Sequence, residues 1–185
     1  MKKGLILILS IVMVVCISIS ATLAYLFVET TPVENTFEYG DINITLDESE
    51  DLDLKMIPGN TITKDPAVTV LKDSEACWLF VKIDKSANFD DFMTYEIADG
   101  WTALPGETNV YYREVPATEA DTEFAVLKDN EVLVKATVLK TELNALTEGT
   151  MPTLTCTAYA VQKDNVTSVA DAWKLVGTKG VPANS

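Results

Sequence analysis

From residue 42 onward, apolar and polar residues alternate along much of the chain. Ile42, Ile44 and Leu46 lie on one side of an extended segment, with Asn43 and Thr45 on the other. That is the period-two signature of a strand with one buried face. Ala67 to Leu71 is a short β-branched run that follows the turn residues Pro58-Gly59-Asn60. Cys77, Leu79, Val81 and Ile83 share a face, which leaves Trp78, Phe80 and Lys82 on the opposite one. Asn109 to Val115 and Glu123 to Leu127 predict two more strands, broken by Pro116, and Val132, Val134, Ala136 and Val138 one side of the next. The cleanest alternation comes last, with Leu154, Cys156, Ala158 and Ala160 inward and Thr153, Thr155 and Thr157 outward. Helical spacing is scarce. Thr141 to Leu146 predicts a turn or two, and Ser168 to Val176 a short helix after Asn165 that ends at Gly177. Asn88 to Met93 fits neither period. About eight short strands punctuated by Pro and Gly predict an all-β fold, an antiparallel two-sheet sandwich or jelly roll.

The N-terminus follows a different pattern. Lys2 and Lys3 precede a charge-free apolar run, Gly4 to Val28. A basic start, an apolar stretch and a small residue near Ala24 match a secretory signal peptide over 1–24, with cleavage between Ala24 and Tyr25. The rival reading is an uncleaved membrane anchor, since the run exceeds the ~20 residues that span a bilayer. Ser10, Ser18, Ser20 and Thr22 suit a cleavage zone better. The organisation read from the chain is therefore a signal over 1–24, an extended segment over 25–36 and a β domain over 37–185. The chain has 185 residues and a net charge of −14; losing Lys2 and Lys3 with the signal takes the charge to −16. So acidic a chain keeps apart from nucleic acid and anionic lipid.

Chemistry is limited by what is missing. The chain has no histidine, which removes zinc-protease motifs, histidine-based triads and most transition-metal sites. It carries no Gly-rich phosphate loop and no aspartic-protease signature. We expect no catalytic residue, no metal and no cofactor. The acidic run Asp47, Glu48, Glu50, Asp51 and Asp53 lacks EF-hand spacing and reads as a solvated loop. Two cysteines remain after cleavage, Cys77 and Cys156, both at inward strand positions. In an exported protein they permit a disulfide, and they equally fit two buried thiols.

Cleavage after Ala24 leaves Tyr25-Leu26-Phe27-Val28 as a strand-forming N-terminus. Such a strand can fold back onto its own sheet or complete the sheet of another molecule. Repeated head to tail, the second contact yields an open filament.

The segments Ala21-Thr22-Leu23-Ala24-Tyr25 and Asn35-Thr36-Phe37-Glu38-Tyr39-Gly40-Asp41-Ile42-Asn43-Ile44-Thr45-Leu46-Asp47-Glu48 resemble exported proteins of the TasA/camelysin family. Ile57-Pro58-Gly59-Asn60-Thr61-Ile62-Thr63-Lys64-Asp65-Pro66 resembles that family's turn-and-strand signature. Leu154-Thr155-Cys156-Thr157-Ala158-Tyr159-Ala160-Val161-Gln162 is similar to its closing strand. The resemblance implies a jelly roll exported by a Gram-positive bacterium and cut by a SipW-type signal peptidase, with Tyr25 as the mature start. It implies a subunit of extracellular biofilm-matrix fibres whose partners are further copies of itself and other matrix proteins. Tyr25, Leu26, Phe27 and Val28 would form the donor strand, in a region reaching to Thr36. Camelysin-like members are described as cell-surface metalloproteases, an activity for which this chain has no evident ligands. The chain departs from many relatives in Phe27-Val28-Glu29-Thr30, where they carry polar residues. A monomeric surface-binding module using Trp78, Phe80, Trp101, Tyr111 or Tyr112 is the remaining alternative.

Overall fold

The computed structural model describes residues 41–49, 55–166 and 168–179. The expected signal peptide over 1–24, the expected Ala24–Tyr25 cleavage junction, the 25–36 segment and the acidic residues Glu50, Asp51 and Asp53 lie outside the described residues. The strands are β1 (Ile44–Asp47), β2 (Thr61–Thr63), β3 (Ala67–Val70), β4 (Cys77–Lys85), β5 (Met93–Ile97), β6 (Thr102–Ala103), β7 (Val110–Val115), β8 (Thr122–Ala125), β9 (Leu127–Val134) and β10 (Leu154–Gln162). Among the described residues three helices, α1 (Phe89–Phe92), α2 (Lys140–Asn144) and α3 (Val169–Lys179), join them, with a 3₁₀ turn at Glu148–Thr150. The fold is all-β, as the alternation predicts.

Among the described residues three antiparallel sheets have the orders β1-β3-β8, β10-β4-β7-β6 and β2-β9-β5. The first and third are linked through two bent arms. Thr61–Thr63 and Ala67–Val70 pair with β9 and β8 in turn, so two neighbouring strands bend together. Pro66 stands at the bend, where it has no N–H to donate, and its carbonyl accepts the Val126 N–H at 3.0 Å. The arm starts at the predicted turn. The Asn60 N–H donates to the Ile57 carbonyl at 3.0 Å, and Gly59 has φ +82°, the left-handed position after proline that a type II turn requires.

One core draws on all three sheets. It includes Ile62, Val68, Val70, Leu79, Val81, Ile83, Val115, Leu127, Val132, Val134 and Ala158, with Phe89 and Met93 from the α1–β5 corner. Cys77, Leu79, Val81 and Ile83 all enter it, as their shared face predicts. The other face of β4 is covered too. Phe80 is 0% exposed in a second cluster with Leu104, Val110 and Ala172. There Trp173 of α3 lies 5.2 Å from the Phe80 ring and 5.9 Å from Tyr159, centroid to centroid.

Three local expectations change. β5 is a strand that the pattern did not reveal, because Phe89, Phe92 and Met93 are spaced like a helix face just before it. The strand containing Val132 and Val134 stops at Val134; Ala136 is exposed and Val138 buried. α3 runs through Gly177 to Lys179. Val169, Ala172, Trp173 and Val176 all pack on the sheet, and that packing outweighs the ~1 kcal/mol that a helical glycine costs.

Candidate functional site

β10 is the longest strand standing at a sheet edge. Its nine residues pair with β4 from Leu154 opposite Lys85 to Gln162 opposite Cys77. Among the described residues no strand forms a ladder with its other side, although β1 packs close to β10. The segment Leu154-Thr155-Cys156-Thr157-Ala158-Tyr159-Ala160-Val161-Gln162 contains no charged residue, no proline and no glycine. Edges are ordinarily protected by such residues, by bulges or by shortness. The other edges show those devices: β6 has two residues and β2 three. β5 carries Glu96 and a bulge, where Asp129 and Asn130 of β9 take left-handed φ of 55°.

At the Leu154 end of this edge lies an apolar groove of about 460 Å³. β2 contributes Ile62, the α1–β5 corner Phe89 and Met93, and β10 Leu154 and Thr155; Met56 and Met151 complete the sides. Ile57 and Met151, beside and within the groove, are 44% and 48% exposed. Lys64 is the one charged residue in the lining, and its ammonium is held by the Glu48 carboxylate at 2.7 Å. Next to that pair, the Ser49 hydroxyl and N–H donate to Asp65 at 2.6 and 3.0 Å. Those two bonds hold the Asp65 carboxyl below its usual 3.8. Both ties fasten the start of the acidic run to the chain just after β2.

Tyr25, Leu26, Phe27 and Val28 lie outside the described residues, so the structure neither joins them to this groove nor separates them from it. Cys77 and Cys156 are free thiols, which corrects the option of a disulfide. β4 and β10 are neighbours in one sheet, with Cys77 opposite Gln162 and Cys156 opposite Ile83. Six residues of strand thus part the thiols by roughly 20 Å, whereas a bridge needs Cα atoms within about 7 Å. Burial pushes each thiol up to about 11. The aromatic residues of the binding-module alternative are also less available than the alternation suggests. Phe80 is fully buried, and Trp78, Trp101, Tyr111 and Tyr112 are half-buried. Among the described residues no group of three or more Cys, Asp or Glu is placed to hold a metal ion.

The groove itself escapes sequence reading. Its lining comes from five separate stretches of chain, and none of them carries a motif. The one available signal is compositional: Met56, Met93 and Met151 are the only methionines after residue 28, and all three line it. Comparison of the chain with protein-family models, with curated proteins and with solved structures found no match.

Proposed function

We propose that this chain is a secreted structural protein, a subunit of extracellular biofilm-matrix fibres of a Gram-positive bacterium. It assembles head to tail by donor-strand exchange. Export ends with cleavage between Ala24 and Tyr25 by a SipW-type signal peptidase. The freed segment Tyr25 to Thr36 of one copy then adds to the β10 edge of the next, with its apolar side chains in the groove. In this reading the three sheets around one core form a jelly-roll sandwich, the protein is not an enzyme, and it uses no cofactor.

The observation that carries the proposal is that β10, nine residues without a charge, ends its sheet with no ladder on its outer side, and that an apolar groove lies at its Leu154 end. An edge of that kind favours strand addition. Tyr25-Leu26-Phe27-Val28 is apolar and uncharged, as a strand added there would be. Polarity adds support. The Asp41 carbonyl accepts the Glu75 N–H, and the Lys163 N–H donates to Ala76, so Asp41 lies at the Gln162 end of β10. The groove lies at the Leu154 end, ~26 Å away along the strand. In this reading a groove at the end far from Asp41 suits a heterologous contact that propagates.

The test is electron microscopy of the mature chain beside a version lacking 25–36. The mature chain forms filaments; the shortened one keeps its circular-dichroism spectrum and forms none. Filaments from the shortened chain would sink the proposal.

A further inference from the structure

The acceptor groove has an unusual sulfur content. The chain after residue 28 holds three methionines, and they converge on this one groove from the loop before β2, from the start of β5 and from the approach to β10. Their exposure is graded. Met151 is 48% exposed and Met93 7%, and Met56 is half-buried. Methionine suits a groove that must adapt to a docking side chain, because the thioether is flexible and polarizable. It is also the apolar side chain most easily turned polar.

We propose that oxidation of these methionines closes the groove to the donor strand, so that the acceptor doubles as an oxidant-sensitive switch on assembly; this rests on the donor-strand reading above. The chemistry balances with a peroxide as oxidant. The thioether sulfur gives up two electrons and gains one oxygen, and hydrogen peroxide is reduced to water. Met151 reacts first because it is the most exposed, Met56 follows, and Met93 stays protected inside the core.

The effect falls on docking rather than on folding. In the open groove a sulfoxide at Met151 faces water, which hydrates it at little cost. Seating a strand removes that water. The lining then offers the sulfoxide few replacements, since Ile62, Phe89 and Leu154 are apolar and its donors are limited to Thr153, Thr155 and Lys64, which is already ion-paired with Glu48. A buried acceptor without a donor is expensive. The remaining sulfurs do not compete well. Cys77 is 0% exposed and Cys156 is half-buried, and burial keeps both as thiols, the less reactive form.

The experiment uses the mature chain, treated with hydrogen peroxide as monomer, with the sulfoxides located by peptide mass mapping. With Met151 and Met56 oxidised, filament growth followed by light scattering falls at least about tenfold, while the circular-dichroism spectrum is unchanged. A Met56→Leu/Met151→Leu variant, close in volume, assembles and ignores peroxide; Met151→Gln assembles poorly without any peroxide. In preformed filaments Met151 oxidises more slowly than in the monomer, because the strand covers it. Oxidised monomer that assembles at the untreated rate, or Met151 equally reactive in filament and monomer, overturns this inference and leaves the fibre reading standing. Untreated mature chain that forms no filament overturns both.

Discussion

At the scale of single residues, the cysteines give the sharpest outcome. The alternation places Cys77 and Cys156 inward, and both positions are on or against the core. Whether inward means paired depends on register, which sets them six residues apart on adjacent strands. A chain that starts at Tyr25 therefore has the mass of two free thiols, and a thiol reagent finds two groups in it after denaturation. Modification of the native protein near pH 8 is slow, because thiols at about 11 leave a thiolate fraction on the order of one in a thousand. The same shift has a sign for stability. Each folded value is raised above the ordinary 9.0, so the contribution is complete below pH 9 and fades as pH climbs from 9 to about 11. A two-proton mass deficit, or fast native labelling at pH 8, would contradict the free buried thiols.

At the scale of elements, β4 and β10 show how far a pattern can be read. Their inward faces follow period-two spacing and are found where expected. The outward face of β4 is a different matter: Trp78 and Phe80 are assigned to it correctly, yet α3 covers them. The Trp78 indole N–H donates to the Val166 carbonyl at 3.1 Å, so even its polar end is satisfied within the fold. Alternation tells one face from the other, but not whether a helix from elsewhere in the chain lies on it. β10 has the converse property, an edge with no ladder partner among the described residues. Thr155 is exposed on that edge and lines the groove. Thr155→Lys adds the charge that protected edges carry. It leaves the fold intact and slows filament growth about tenfold or more, equivalent to ~1.4 kcal/mol lost at the contact. Light scattering at matched concentration measures it, and unchanged growth would place the acceptor elsewhere.

At the scale of the whole molecule, charge governs the assembly proposed above. Without Lys2 and Lys3 each copy carries −16, so copies repel one another before the apolar contact forms. Screening relieves that repulsion, as the Debye length shrinks from ~30 Å at 0.01 M salt to ~8 Å at 0.15 M. Filament growth accordingly speeds up across that range, and again as pH falls towards the sequence pI of about 4.3. Growth that slows with added salt would mean that charge pairs, rather than strand addition, hold the copies together.

What the sequence determined by itself is what composition and local spacing control. That covers the β class, the inward faces of β4 and β10, the Pro58-Gly59 turn, the strong negative charge, and the absence of histidine chemistry. These rest on neighbours a few residues apart and on the period of the strand. The tertiary structure alone decided which strand ends a sheet, that α3 seals the outer face of β4, that Cys77 and Cys156 never meet, and that three methionines share one groove. Each of those depends on register and packing between segments tens of residues apart. Period two gives a residue its side of the sheet but never its partner across the fold.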